Sequence, residues 1–204
     1  LGGKSPVLVL EDCDPELAVQ GAAAAIFLNQ GQVCTAGSRL YVHKKNYDRV
    51  VSGLASVAEN TVLGSGFDPA TQMGPLVSAR QRERVMGYIE SGRTEGAEIV
   101  SGGVAPNRPG YFVKPTVVSN TACKPLTVVR EEIFGPVVVA MPFDDIDSVL
   151  REANNSQYGL GASIWTNNLS AANKLIDRID AGTVWVNTHN VVDPSMPFGG
   201  FKSS

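Results

Sequence analysis

Short apolar runs alternate along the chain with segments whose apolar residues recur at helical spacing. Residues 7–10 form the first run and predict a strand. Asp14 follows as an N-cap and Pro15 as a helix-first proline, so an Ala-rich helix is predicted from there to about residue 29. Residues 39–43 predict the next strand, and apolar positions at helical spacing follow it. The chain therefore opens with two strand-helix units.

The second helix is predicted to begin after an Asn46 cap, and a capping box marks the third. Ser78 is followed three residues later by Gln81, and the helix so opened is predicted to end near Gly92 or Gly96. The remaining predicted elements are strands at residues 116–118, 136–141, 160–165 and 183–186, and helices at residues 146–153 and 170–179. This alternation predicts an α/β fold, a mostly parallel sheet flanked by helices. In such a sheet we expect ligand chemistry at the strand ends and in the loops after them.

Composition favours one folded domain of this class. Of the 204 residues 43% are hydrophobic, and a chain of this length buries roughly 70% of the surface that its unfolded form exposes. The net charge of −3, with basic residues spread along the chain, argues against a nucleic-acid or anionic-membrane partner. No apolar run approaches the ~20 residues that cross a bilayer. The three cysteines match neither a disulfide framework nor a zinc site, which indicates a reducing compartment, the cytoplasm.

Cys34 is the candidate reactive residue, because its neighbours are small, polar and punctuated by glycine. Such a setting lets a substrate approach the sulfur and lets backbone N–H groups face it. We expect it near a helix terminus whose dipole favours the thiolate. The spacing alone equally allows a buried, inert thiol. Cys13, between two aspartates, and Cys123, in a predicted loop, are expected to be inert.

Four separated segments carry a resemblance to NAD(P)-dependent aldehyde dehydrogenases. They are FLNQGQVCTAGS at residues 27–38, EEIFGPV at 131–137, GTVWVN at 182–187 and PFGGFKS at 197–203. The match is collinear and covers nearly the whole chain. The resemblance implies that residues 1–204 are the family's catalytic domain, truncated at both ends and without the dinucleotide-binding domain. It implies an aldehyde substrate, NAD as cofactor with NADP as the alternative, and Cys34 as the nucleophile that forms a thiohemiacetal and a thioester.

The resemblance also implies a set of cofactor contacts. The Glu132 carboxylate would accept from the nicotinamide ribose hydroxyls, and the Phe134 ring would lie against that ribose. Gln81 and Arg84 match positions that reach the cofactor from the capped helix, although many members have Lys where Arg84 stands. Leu1 would offer its carbonyl to the nicotinamide amide. Without the resemblance, a solvated Glu pair, a core Phe and a solvated helix face are the alternatives.

Five residues fall where the family lines its aldehyde pocket or ends the strand beside it: Val33, Thr35, Asn187, Val192 and Phe198. Phe198 is expected to form an aromatic wall, with ordinary core packing as the alternative. Asn187 would orient the pocket loop or simply initiate a turn. Thr35 and Val192 are smaller than residues that some members carry there. We therefore expect room for a bulkier, aryl-bearing aldehyde.

Two functional groups of the family are expected outside these 204 residues. They are the Glu that precedes Leu1 in the family motif, as general base, and an Asn that serves as second oxyanion donor beside the Cys34 N–H. The chain by itself is therefore expected to be inactive. The alternatives are a Cys-His hydrolase, in which His189 approaches Cys34, and a folded oligomerisation or interaction module. A homo-oligomer is expected because the family commonly self-associates through this domain.

Overall fold

The computed structural model describes residues 2–204 as nine strands and six α-helices. The strands are β1 Pro6–Val9, β2 Arg39–His43, β3 Glu98–Ser101, β4 Thr116–Ser119, β5 Val137–Phe143, β6 Tyr158–Gly159, β7 Gly161–Trp165, β8 Thr183–Val186 and β9 Phe201–Lys202. The helices are α1 Pro15–Phe27, α2 Tyr47–Asn60, α3 Ala79–Thr94, α4 Thr127–Arg130, α5 Ile146–Asn154 and α6 Leu169–Ile176. A 3₁₀ turn, Leu28–Gly31, extends α1.

Seven of the strands form one sheet in the order β3-β4-β5-β2-β1-β7-β8. All of its neighbouring strands are parallel except β3, which pairs antiparallel with β4. Strands β6 and β9 form a separate antiparallel pair. The predicted α/β fold with a mostly parallel sheet is confirmed.

Helices cover both faces of the sheet, which explains why its central strands are apolar without alternation. In β1, Val7 and Val9 pack with α1 and α2, whereas Leu8 points to the opposite face and packs with α5 and α6. All three side chains are fully buried. Because both faces of β1 are covered, apolar residues are favoured at successive positions of this strand. The core therefore consists of two layers, with β1 between them.

Three predicted helix starts have different outcomes. Asp14 caps α1, since its carboxylate accepts from the Glu16 N–H. Asn46 precedes α2 but makes no capping bond; its amide instead donates to the Leu10 and Glu11 carbonyls. Ser78 caps α3 through the Gln81 N–H, which is half of the predicted capping box. The reciprocal bond from the Gln81 side chain back to Ser78 is absent among the described residues, because Gln81 Nε2 donates to the Ile133 and Phe134 carbonyls instead.

Several boundaries differ from prediction. Strand β3 and the single-turn helix α4 were not predicted, and α6 ends at Ile176 rather than at residue 179. Helix α3 ends at Thr94, and Gly96 follows in the left-handed conformation (φ +94°) that a C-terminal glycine favours. Within residues 2–204, no helix has the length and apolarity needed to span a membrane.

We expect Gly87→Ala to stabilise the fold. Gly87 lies inside α3, and a Cβ at this position meets nothing within 4 Å. Alanine has less conformational freedom to lose on folding, so the free energy of unfolding should rise by about 0.5–1 kcal/mol. Urea unfolding measures the change. Gly92→Ala is the matched control in the same helix: its Cβ would lie 3.2 Å from Val128 Cγ1, so its gain should be smaller. A loss of stability in Gly87→Ala contradicts the argument.

Candidate active site

Cys34 lies in a tight turn, residues 33–36, which we call the Cys34 turn. The 3₁₀ turn before it ends α1 because Asn29 and Gln30 adopt left-handed backbone angles, φ +48° and +58°. The Ala36 N–H donates to the Val33 carbonyl (3.0 Å), which closes the turn. Thr35 and Ala36 are buried, whereas Cys34 is exposed. The alternative of a buried Cys34 is therefore wrong, and the reactivity of its thiol stays a prediction.

The backbone leaves one donor beside the thiol. Among the described residues, the Cys34 N–H donates to no backbone or side-chain acceptor. An unpaired N–H next to a nucleophile is the group that stabilises an oxyanion. The expected helix dipole is wrong in sign, because Cys34 follows the carboxyl end of α1, where the dipole is negative.

The Cys34 turn lies before a strand, not after one. It precedes β2, and the residue 131–135 segment, which we call the Glu132 segment, precedes β5. Both strands are parallel, so these segments meet at the amino-terminal edge of the sheet. The candidates Cys34 and Glu132 thus lie in loops before strands, whereas Val192 and Phe198 lie after β8, where the sheet type places ligand chemistry. The connections before the strands are long enough to carry the site, whereas the β2-to-α2 connection is a short turn.

Two glycines allow these segments to touch. A Cβ at Gly3, just before β1, would overlap the carbonyl oxygen of Cys34. A Cβ at Gly31 would overlap the carbonyl oxygen of Gly135, and Gly31 also has a φ of +68°. The close approach brings Gly3, Val33, Glu132 and Phe134 to the lining of one narrow cleft. Three sequence-predicted site residues are therefore neighbours.

Glu132 is oriented by the backbone before β1. Its Oε1 accepts the Gly3 N–H at 2.9 Å, and its Oε2 lies where a Cβ at Gly2 would meet it at 2.6 Å. Phe134 has a left-handed backbone (φ +58°), and 37% of its surface is exposed. The two alternatives, a freely solvated Glu132 and a core Phe134, are both wrong.

Gln81 and Arg84 hold the Glu132 segment through its backbone. Gln81 Nε2 donates to the carbonyls of Ile133 (3.1 Å) and Phe134 (2.8 Å). Arg84 donates to the carbonyl of Glu132 at 2.9 Å. Gln81 is half-buried, so a fully solvated helix face is wrong for it, whereas Arg84 is exposed and binds the Glu132 segment from the solvated face. Leu1, the fifth cofactor candidate, lies outside the described residues.

The proposed pocket residues have different surroundings. Thr35 is buried, and its hydroxyl donates to Asn190 Oδ1 at 2.6 Å. Val33 is half-buried and packs against the core that α1 covers. Val192 and Phe198 are 60% and 51% exposed, so core packing of Phe198 is wrong.

Asn187 follows β8 at the carboxyl edge of the sheet, two residues before His189. Its side chain donates to the Thr166 carbonyl (2.9 Å) and accepts from the Thr166 N–H (3.0 Å), and its φ is +52°. Asn187 thus begins a turn and holds the ends of β7 and β8 together, and its role in orienting the pocket loop stays a prediction.

His189 lies against the Cys34 turn, and sequence analysis considered it only as a rival base. Its Nε2 is 2.8 Å from the Thr35 carbonyl oxygen, and its Nδ1 is 2.9 Å from Ser163 Oγ. Its ring also packs on Trp185, with centroids 4.8 Å apart. Burial lowers the pKa of His189 to about 4. With both nitrogens engaged, His189 has none left to take a proton from Cys34, which argues against the Cys-His hydrolase.

Two buried basic residues, Lys4 and Arg39, lie behind the site and were not predicted from the sequence. An isolated lysine or arginine adds nothing to the apolar periodicity from which buried positions are predicted. Arg39 is buried in β2 and donates to the carbonyls of Lys4 (2.8 Å), Glu152 (2.9 Å) and Ala153 (2.7 Å). Lys4, next to Gly3, is also buried, and burial followed by the Arg39 charge lowers its pKa to about 7. Arg39 thus joins the start of β1 to the end of α5.

The sequence matches known proteins over all of this chain, and the structure matches over 99% of it. The model of the family described as "Aldehyde dehydrogenase family" matches residues 1–204. A phenylacetaldehyde dehydrogenase from Pseudomonas fluorescens is 58% identical over all of this chain, which spans 41% of that protein. A betaine aldehyde dehydrogenase from Rhizobium etli is 45% identical, again over the whole chain and 42% of that protein.

Solved structures similar to this chain are also aldehyde dehydrogenases. An NAD⁺ complex of an aldehyde dehydrogenase from Bacillus cereus superimposes with a TM-score of 0.96 at 50% identity. The match covers 99% of this chain and 41% of that one. The chain thus spans about two fifths of the length of the proteins it resembles.

Proposed function

The chain belongs to the aldehyde dehydrogenase family, and from that premise we propose that it is the catalytic domain of an enzyme that oxidises an aldehyde to a carboxylic acid. The observation that carries the proposal is an exposed Cys34, on a turn held by buried neighbours, beside the Glu132 segment. Since the chain spans about 41% of its relatives' length, the activity is proposed for the full-length protein.

In this proposal the Cys34 thiolate adds to the aldehyde carbon and forms a C–S bond, giving a thiohemiacetal whose oxygen carries the negative charge. The unpaired Cys34 N–H is placed to stabilise that oxygen. Loss of a hydride from the same carbon converts the thiohemiacetal into a thioester. Water then cleaves the C–S bond, which releases the acid and restores the thiol.

The residues of the Glu132 segment fit the cofactor NAD. When bound, NAD accepts the hydride. Glu132 keeps Oε2 for ribose hydroxyls while the Gly3 N–H holds Oε1, and the exposed Phe134 ring offers an apolar surface next to it. Gln81 and Arg84 support both residues from behind, by holding their carbonyls. NADP is the alternative cofactor.

We expect the full-length enzyme to prefer phenylacetaldehyde to acetaldehyde. Thr35 and Val192 are small, Phe198 is exposed, and the Pseudomonas fluorescens relative is a phenylacetaldehyde dehydrogenase. Burying an aryl ring contributes about 1.5–3 kcal/mol, so kcat/KM should differ by roughly tenfold to a hundredfold. Val192→Phe should reduce this ratio, and Val191→Phe, at an equally exposed neighbour, should not. A preference for acetaldehyde would contradict the expectation that the aldehyde pocket has space for an aryl ring.

The experiment that tests the nucleophile is limited alkylation of the full-length protein with iodoacetamide, followed by peptide mapping. Cys13 and Cys123 are internal controls. Burial, followed by Asp12 and Asp14, raises the pKa of the Cys13 thiol to about 11. Partial desolvation of the thiol, followed by the Glu152 charge, also raises the pKa of Cys123. Cys34 should therefore be labelled first, and faster labelling of either other cysteine contradicts the proposal.

Four further parts of the proposal concern localisation, assembly, the activity of these 204 residues alone, and the partner of the full-length enzyme. The enzyme works in the cytoplasm and assembles as a homo-oligomer. The 204 residues alone do not sustain turnover, because the family resemblance assigns the general base and the second oxyanion donor to residues outside them. Its partner is a small aldehyde, rather than nucleic acid or a membrane.

A further inference from the structure

The hydrogen bonds around His189 determine its protonation. The Thr35 carbonyl can only accept, so the proton of the neutral ring must be on Nε2. Nδ1 is then an acceptor, and the Ser163 hydroxyl donates a hydrogen bond to it. Burial keeps the ring neutral at physiological pH, because it lowers the pKa of His189 to about 4. One neutral tautomer therefore satisfies both partners.

These two bonds connect the nucleophile's turn to the sheet. Thr35 directly follows Cys34, whereas Ser163 is fully buried in β7. Asn190, the residue after His189, holds the Thr35 side chain, because its Oδ1 accepts a hydrogen bond from the Thr35 hydroxyl. Thr35 is thus fixed at its carbonyl and its hydroxyl by two consecutive residues.

The His189 ring is itself held in place. It packs on Trp185 of β8, whose Nε1 donates to the Val191 carbonyl at 2.8 Å. Asn187 attaches the start of this segment to Thr166. The segment from 187 to 191 therefore has fixed points before and after His189. A ring fixed in this way transmits the position of β7 to the Cys34 turn.

We propose that His189 is a positioning residue for Cys34, which sets the location of the sulfur by holding the Thr35 carbonyl against β7. The proposal rests on the proposed function for its effect on turnover, but its effect on thiol reactivity does not require that function. His189 touches neither substrate nor cofactor in this role.

Two substitutions in the full-length protein separate positioning from packing. His189→Phe keeps a ring against Trp185 and loses both hydrogen bonds. His189→Gln retains an N–H that reaches toward the Thr35 carbonyl. The measurements are the rate constant for Cys34 alkylation by iodoacetamide, kcat, and the KM for NAD. His43→Phe is the matched control, because His43 is a buried histidine at the far end of β2.

In His189→Phe we expect Cys34 alkylation and kcat to fall by roughly tenfold to a hundredfold, with an unchanged KM for NAD. His189→Gln should recover most of the loss, and His43→Phe should alkylate at the wild-type rate. Wild-type alkylation in a folded His189→Phe, or equal losses in Phe and Gln variants, overturns the proposal.

If His189→Phe does not fold, Ser163→Ala takes its place: slower alkylation supports the proposal and wild-type alkylation overturns it. Failure of the proposed function appears separately, as aldehyde oxidation that does not need Cys34.

Discussion

Replacing Cys34 by alanine in the full-length protein should lower kcat for aldehyde oxidation by roughly 10³-fold or more, the scale of losing a catalytic nucleophile. The exposed thiol is the group that forms and breaks the C–S bond in the proposed reaction. NAD binding should persist, because Glu132 and Phe134 lie on a separate segment held by Gln81. Reduced-cofactor absorbance measures turnover, and a fluorescence titration measures NAD binding.

Cys123→Ala is the control for this substitution. Cys123 is also an exposed thiol, but it lies after β4, near the carboxyl edge of the sheet, and its thiol contacts the Pro142 carbonyl. Its removal should leave kcat unchanged. If the Cys34 variant keeps a tenth of the wild-type activity, another group performs the chemistry and the nucleophile assignment is wrong.

Apolar patterning predicted most of the fold because the central strands are buried on both faces. Residues 7–9 form a continuous apolar run for that reason, and the helices that cover the sheet turn apolar residues toward it. Strand β3 escaped prediction because it is an edge strand: Glu98 is exposed and its neighbours are only half-buried. Its pairing with β4 depends on a partner that local patterning does not reveal.

The edge of the sheet that carries the site was not predictable from local sequence. Cys34 and Glu132 were found as residues, but their meeting depends on Gly3 and Gly31, whose neighbours are distant in sequence. Gln81 illustrates the same limit. Its spacing from Ser78 predicts a capping box, yet its side chain prefers two carbonyls 52 and 53 residues away. A local sequence pattern identifies a polar side chain but does not show which distant group it will hydrogen-bond.

His189 gave a misleading signal for a physical reason. A histidine near a reactive cysteine suggests a general base, and sequence alone does not reveal its burial or its partners. In the fold, desolvation lowers its pKa and both nitrogens are bonded, so the same residue type acts through position rather than proton transfer. In the proposed reaction the covalent chemistry is therefore assigned to Cys34, while Gln81, Arg84 and His189 hold backbone carbonyls.

Gly3→Ala should be the most damaging substitution outside the nucleophile. The new Cβ would overlap the Cys34 carbonyl oxygen, which is backbone and cannot rotate away, and Gly3 also donates to Glu132. A displacement of about 1 Å at the reacting atoms costs on the order of 100-fold in rate, so we expect kcat and Cys34 alkylation to fall by about that factor. Gly2→Ala meets only the Glu132 carboxylate, at 2.6 Å, so it should raise the KM for NAD and spare alkylation. Near-normal alkylation in a folded Gly3→Ala protein would show that the turn tolerates the displacement and that the Gly3 contact does not position Cys34.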